Sequence, residues 1–165
     1  MLQQIDHSHL LRSIPWFMDL NPDQLDRLAA IAETCHAEPG EVLFHEGDRK
    51  GRLYIVIEGQ VEITYQIPSR GQLAIFTAEP LDIIGWSSMT PIVRQLVGSA
   101  VAKTNATLLS FDGGTLRQLC DEDHDLGYVI MRRLANVIAS RLLVTRLTLT
   151  DLLVHEKEEA ARPQS

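Results

Sequence analysis

Few residues in this chain have both the type and the spacing that chemistry requires. His7 and His9 stand two apart, a spacing that suits a metal ion on a strand, but they lie where a helix begins and no completing ligand set accompanies them. Cys35 and Cys120 belong to no CxxC pair, so neither a zinc knuckle nor a redox motif is present. Asp121-Glu122-Asp123-His124-Asp125 is an acidic run without the ligand spacing of an EF-hand loop; at a helix start its charges suit the helix dipole. Glu46, Asp48 and Glu58 fall at turns and strand ends rather than as a catalytic pair. The sequence holds no GxSxG elbow, no P-loop and no GxGxxG turn. These residues point to a binding or regulatory protein, not an enzyme, and to no metal.

Composition narrows the partners. Acidic residues outnumber basic ones 22 to 15, for a net charge of −7. A nucleic-acid-binding domain presents a basic face, so direct DNA contact is disfavoured; if it occurred it would use Arg132, Arg133, Arg141 and Arg146. No run approaches the ~18 apolar residues of a membrane span. The first residues lack the basic-then-apolar order of a signal peptide. A cytoplasmic protein with two free thiols is expected.

The positioning elements follow from punctuation and periodicity. Asn21-Pro22-Asp23 is a helix start, and Leu25, Leu28, Ala29 and Ala32 recur at helical spacing to about Thr34. At Pro39-Gly40 the pattern changes to short apolar runs between turn residues: Val42–Phe44, Leu53–Ile57, Val61–Ile67, Leu73–Thr77, Val97–Ala102 and Leu108–Phe111. Short strands so closely spaced predict a small barrel or sandwich. Val61, Ile63, Tyr65 and Ile67 alternate with Glu62, Thr64 and Gln66, the pattern of a strand with one wet face. After Gly113-Gly114, Thr115–Asp121 reads as a short helix and Asp123–His155 as a long one, roughly 30 residues and about 45 Å. That exceeds a small barrel, and the helix is apolar on more than one face. Residues 126–153 are therefore expected to pair with a second copy of the chain, against the alternative of a helix folded onto its own domain. The chain reads as one α+β domain over 1–155 (N-terminal helices 1–35, β-roll 36–112, C-terminal helices 113–155), with a charged, frayed tail at 156–165.

The run Pro39-Gly40-Glu41-Val42-Leu43-Phe44-His45-Glu46-Gly47-Asp48, then Leu53-Tyr54-Ile55-Val56-Ile57-Glu58-Gly59-Gln60-Val61-Glu62-Ile63, resembles the opening of the cyclic-nucleotide-binding domain. The helix, roll, helix order extends the likeness, and the shape is similar to the sensor half of the Crp/Fnr transcription regulators. The resemblance implies an antiparallel β-roll (a double-stranded β-helix, or jelly roll) with a long dimerisation helix. In those regulators a DNA-binding winged helix follows; here a dozen residues follow Leu153, which leads us to expect a stand-alone sensor whose output passes to a protein partner. Ile84-Gly85-Trp86-Ser87-Ser88-Met89, with Pro91 and Arg94 after it, is similar to stand-alone Crp/Fnr-like proteins that carry Gly-Trp-Ser there.

The resemblance also implies a ligand cassette. In nucleotide-binding members a short turn begins Gly-Glu, the Glu accepts the ribose 2′-hydroxyl, a later Arg beside a small residue pairs the cyclic phosphate, and an Arg and a Thr-Ser pair on the long helix hold the base. This sequence keeps Gly85 but has Trp86 at the Glu position. Ungapped alignment puts Leu96 at the Arg position, with Val97 beside it. Arg141 and Thr145 match the helix contacts, and Arg146 replaces the second hydroxyl. A hydrogen bond to a charged group contributes about 1.5–3 kcal/mol, so losing both partners costs ~3–6 kcal/mol, or roughly two to four decades of affinity. Arg94 either turns inward to meet an anion or is a solvated loop residue. Trp86 either closes the barrel mouth or stacks on a planar ligand. Ser87 and Ser88 either donate to an anion or cap the turn. Arg141 and Thr145 either touch ligand or belong to the dimer seam. The candidate ligand is a cyclic nucleotide or another small anion, whose binding would act on a hinge near Gly113-Gly114 and Gly127. The alternatives are a ligand-free scaffold of the same fold and a Crp/Fnr-like transcription regulator working through a partner.

Overall fold

The computed structural model describes residues 6–49, 51–90, 92–93 and 95–160. Two short helices open the fold, α1 (His7–Ser13) and α2 (Pro22–Ile31), with a 3-10 turn at Pro15–Phe17 between them. The Asp6 carboxylate caps α1. Asn21 and Gln24 form a reciprocal capping box at α2, with Pro22 in the first turn. The helix stops at Ile31, earlier than the expected Thr34, because Ala32 turns extended and begins β1 (Ala32–Ala37). This strand pairs antiparallel along its whole length with β8 (Ala106–Asp112), from Ala32 opposite Phe111 to Ala37 opposite Ala106. A distant strand supplies those hydrogen-bond partners, and no local pattern announced them.

The remaining strands are β2 (Val42–Phe44), β3 (Arg52–Glu58), β4 (Val61–Ile67), β5 (Gly71–Ala78), β6 (Ile83–Ile84) and β7 (Ser99–Ala102). They form two four-stranded antiparallel sheets, ordered β1-β8-β3-β6 and β2-β7-β4-β5. This is the expected α+β arrangement, a β-roll between N-terminal helices and a long C-terminal one. Two apolar clusters hold it. Leu53, Ile55, Leu109 and Phe111 face the helices, whereas Tyr54, Val56, Ala106 and Leu108 face into the roll. Strand β3 thus buries both faces, which explains why it reads as a continuous apolar run.

Strand β4 departs from simple alternation. Ile63 pairs with Phe76 and Thr64 with Ala74, so Ile75 bulges out of the ladder. Thr64, expected on the wet face, is buried, and its Oγ1 has no hydrogen-bond partner among the described residues.

Helix α3 (Gly113–Glu122) starts before the expected Thr115, because Asp112 caps it by accepting from the Thr115 backbone N–H and hydroxyl at 2.8 and 2.9 Å. Of the glycines expected to act as hinges, Gly113 and Gly127 sit in close contacts. A Cβ on Gly113 would fall 2.8 Å from the Ser88 carbonyl oxygen, and one on Gly127 2.7 Å from that of Cys120. Glycine is needed there so that elements can approach. Helix α4 (His124–Ala160) is 37 residues long, or about 55 Å. It runs past the expected end at His155, so the first part of the charged tail is helical. Glu, Lys and Ala are good helix formers, and Glu156 forms an ion pair with Arg70 at the tip of the β4–β5 hairpin.

Candidate ligand pocket

Strand β6 ends at Gly85, where the backbone enters the left-handed region (φ +71) and a Cβ would lie 2.1 Å from the Arg52 carbonyl oxygen. Glycine alone fits. The chain then makes a 3-10 turn, Trp86–Met89, with Ser88 N–H donating to the Gly85 carbonyl and Thr90 N–H to that of Ser87. From α3, the Arg117 guanidinium donates to the Ser88 carbonyl.

This turn separates two cavities. The inner pocket lies between the roll and α4. The turn contributes Gly85, Trp86 and Ser87, and the following loop contributes Val97. The strands contribute Phe44, Ile63, Tyr65, Ile75, Phe76, Ile83 and Ile84, and α4 contributes Arg141, Val144 and Thr145. Its volume is about 30 Å³, room for a few water molecules at most. The outer cavity, about 470 Å³, is lined by Asp48, Arg49, Ser88, Gln95, Leu96, Arg117 and their neighbours.

Among the residues singled out from sequence, Gly85, Trp86, Ser87, Val97, Arg141 and Thr145 therefore meet in the inner pocket. Ser88 and Leu96 do not. The Ser88 Oγ is buried without a hydrogen-bond partner among the described residues, and Ser88 lines the outer cavity. Leu96 is 2% exposed and packs into the roll. Its backbone N–H donates to the Asp48 carbonyl and its carbonyl accepts from Gly47 N–H. Its side chain closes on Gly51, where a Cβ would meet it at 2.8 Å. Arg94 lies outside the described residues. The strand residues of the pocket were not singled out, although the Ile63 and Tyr65 alternation marked one face of β4.

The charged group of the inner pocket is Arg141. Its guanidinium stands 3.4 Å over the Phe76 ring, a cation–π contact. Its Nη2 reaches Asp82 Oδ1 at 3.4 Å and the Ile83 carbonyl at 3.5 Å. Burial holds its pKa below the ordinary arginine value, against the opposing pull of Asp82. Ser87 is buried, and its Oγ accepts from Val97 N–H at 3.4 Å. Trp86 is half-buried, packing on the helix-side core while lining the pocket. Among the described residues, no group of His, Cys, Asp and Glu is placed to hold a metal ion, and no helix is long and apolar enough to cross a membrane.

The family model of the cyclic nucleotide-binding domain matches residues 34–123, more than half of the sequence. The chain belongs to the cyclic nucleotide-binding domain family. It is 28% identical over 138 residues to the CRP-like cAMP-activated global transcriptional regulator of Mycobacterium tuberculosis, covering 83% of this chain and 59% of that protein. It is 30% identical over 64 residues to a Drosophila melanogaster cGMP-dependent protein kinase, covering 39% of this chain and 7% of the kinase. It thus spans less than two thirds of the length of each of these relatives. A crystal structure of a putative cyclic nucleotide-binding protein from Geobacter metallireducens superposes with a TM-score of 0.73 at 27% identity, over 82% of this chain and 97% of that one. Within the family the chain is a Crp/Fnr-like domain.

Proposed function

We propose that this chain is a non-enzymatic regulatory module forming one domain, which senses a small ligand in the inner pocket and reports it through α4. The observation that carries this reading is the make-up of the pocket: Trp86 and Ser87 from the 3-10 turn face Arg141, Val144 and Thr145 from α4 across one cavity. A molecule bound there touches roll and helix together, and differential contact with two arrangements of α4 is what a switch requires. The module pairs with a second copy through α4, where Leu142, Leu143, Leu147, Leu149 and Leu153 are each more than half exposed. Its output is read by a protein partner in the cytoplasm. The cassette is divergent: Trp86 offers no carboxylate to a ribose hydroxyl, and the buried Leu96 offers no charge to a phosphate.

Thermal unfolding with millimolar cyclic AMP or cyclic GMP, beside sedimentation velocity, tests the reading. A ligand at one hundred times its Kd adds about 2.7 kcal/mol, or roughly 5–10 °C for a domain this size. The divergent cassette predicts no such shift with either nucleotide, and sedimentation is expected to show a dimer at micromolar concentration. A full nucleotide shift overturns the divergent pocket; a monomer overturns the pairing. A second reading, a scaffold that keeps the fold without a ligand, has the small cavity in its favour. It predicts that no small molecule changes the amide exchange of α4.

A further inference from the structure

The residue that ties α4 to the roll also shuts the inner pocket. The walls leave about 30 Å³, room for a few water molecules at most, so anything larger enters only when α4 and the strands facing it draw apart. Among the described residues α4 has two polar ties to the roll, at Arg141 and at Glu156. Glu156 meets Arg70 at the surface, with side chains 45 and 54% exposed, where an ion pair contributes little. Val144 and Thr145 complete the α4 side of the pocket and add no such tie. The closure of the pocket therefore depends on Arg141.

The two sides of that tie are not equally fixed. Asp82 stands in the turn from β5 to β6, and this turn is fastened to β3. Leu81 N–H donates to the Val56 carbonyl at 2.8 Å, and Val56 N–H to the Asp82 carbonyl at 3.0 Å. The Asp82 carboxylate also accepts from Glu79 N–H at 2.9 Å. Leu81 is held in the left-handed region (φ +75), which side chains rarely adopt and which persists only where the surroundings over-determine it. The acceptor is thus built into the roll. Arg141 is held more loosely. Its bonds to Asp82 and to the Ile83 carbonyl are 3.4 and 3.5 Å long, beyond the usual range, and Asp82 is 38% exposed, so water can replace the guanidinium there. Its contact with the Phe76 face imposes no fixed hydrogen-bond geometry. Along α4 the helix-side core ends at Val137 and Ile138, and Leu142 is already 70% exposed. Arg141 stands where the helix leaves its anchor.

We propose that Arg141 is a releasable latch: bound to Asp82 and Phe76 it holds the middle of α4 on the roll with the inner pocket shut, and its release from them is the step that opens the pocket. This rests on the sensing role proposed above and supplies its moving part, a two-state element that an occupant of the pocket can bias.

The test needs no ligand. Amide exchange is followed by mass spectrometry in residues 138–148 and in β5, with residues 124–134 as the internal reference. Acrylamide quenching of Trp86 is read in a Trp16→Phe background, since the chain has two tryptophans. Asp82→Asn is expected to speed exchange in 138–148 about two- to fivefold, the worth of a partly exposed ion pair. Arg141→Ala, which also removes the contact with Phe76, is expected to speed it about tenfold and to make Trp86 more quenchable. Arg141→Lys, which keeps the charge but not the planar fork, falls between alanine and wild type. In the wild type, raising salt from about 0.05 to 0.5 M screens the pair and speeds exchange in 138–148; Asp82→Asn abolishes that salt response. Asp82→Asn and the salt series test the latch even if Arg141→Ala folds poorly. Unchanged exchange in 138–148 on Asp82→Asn, or a rise spread equally over 124–134, overturns the latch. A change in α4 exchange when cyclic AMP is added to the wild type, with no response to either substitution, overturns the latch and leaves the sensing role standing. Faster exchange in both variants, with no response of the wild type to cyclic AMP or cyclic GMP, supports the latch and leaves the sensing role without its ligand.

Discussion

The two parts of α4 are built from similar residues and meet opposite fates. In the first turns Leu126, Val129, Ile130 and Leu134 are buried against α3 and the N-terminal helices. Further along, Leu142, Leu143, Leu147, Leu149 and Leu153 stand 70, 55, 56, 56 and 52% exposed. Single exposed leucines are normal on any protein; a row of them along one helix is the kind of apolar patch that interaction surfaces carry. Leu142, Leu149 and Leu153 fall at intervals of seven and four, the spacing of a coiled-coil seam. Between the two parts, Arg141, Val144 and Thr145 turn toward the roll and line the inner pocket. The helix is an anchor at one end and an apolar exposed surface at the other, and the pocket sits where the first becomes the second.

The comparison breaks or sharpens under substitution. The largest effect is expected from Leu149→Glu combined with Leu153→Glu. Like charges brought together in the seam cost several kcal/mol, so sedimentation should turn from dimer to monomer while the circular dichroism of the folded domain is kept. An unchanged dimer would show that pairing uses another face. Next comes Leu134→Ala in the anchored part, where deleting a side chain that is 0% exposed should cost about 2–5 kcal/mol. Leu149→Ala, compared at dilutions where the protein is monomeric, should cost little. Equal losses at the two positions would erase the distinction between anchor and exposed surface.

Gly113→Ala should cost about 1–3 kcal/mol by denaturant unfolding, because its Cβ runs into backbone that cannot move freely. The neighbouring Gly114, whose nearest contacts are the Asp112 carboxylate at 3.2 Å and the Arg117 guanidinium at 3.8 Å, should accept alanine with little change. A loss at Gly114 as large as at Gly113 would point to a true hinge. Smallest is Asp112→Ala, at about 1 kcal/mol for a lost helix cap. Hydrogen bonds from the Thr115 backbone N–H and hydroxyl hold the Asp112 carboxyl below the usual range. Its folded pKa is thus lower than its unfolded one, so the stabilisation is present above about pH 4 and disappears as pH falls through the folded value. Urea titrations of the two proteins should therefore differ at pH 7 and converge in acid; a gap that persists would mean the cap works without its charge.

Much of the roll was legible because its signals are local. Strands β2 and β4 begin and end where turn residues and alternation place them, and the Asn21-Pro22 start of α2 needs only its own capping geometry. Strands β1 and β6 were not seen. The Ala32–Ala37 segment carries no alternation, and Ile83–Ile84 is too short to show one; both exist because β8 and β3 present hydrogen-bonding edges. At the site, the sequence marked the 3-10 turn and the stretch of α4 facing it, but treated Leu96 and Ser88 as pocket residues. An ungapped alignment counts positions along the loop, whereas the side of the turn a residue faces depends on how Gly51 leaves room for the Leu96 side chain and how Gly85 and Gly113 let neighbouring backbones close in.

The sequence by itself determined the family, the order of the main elements and the presence of a long C-terminal helix. These follow from residue identity and short-range periodicity, which the chain carries without needing to fold. Only the tertiary structure decided that Arg141 lies over Phe76, that Leu96 turns into the roll, and that Gly113 and Gly127 sit in close contacts. Each of those outcomes depends on atoms brought together from distant parts of the chain, and no local pattern encodes such a meeting.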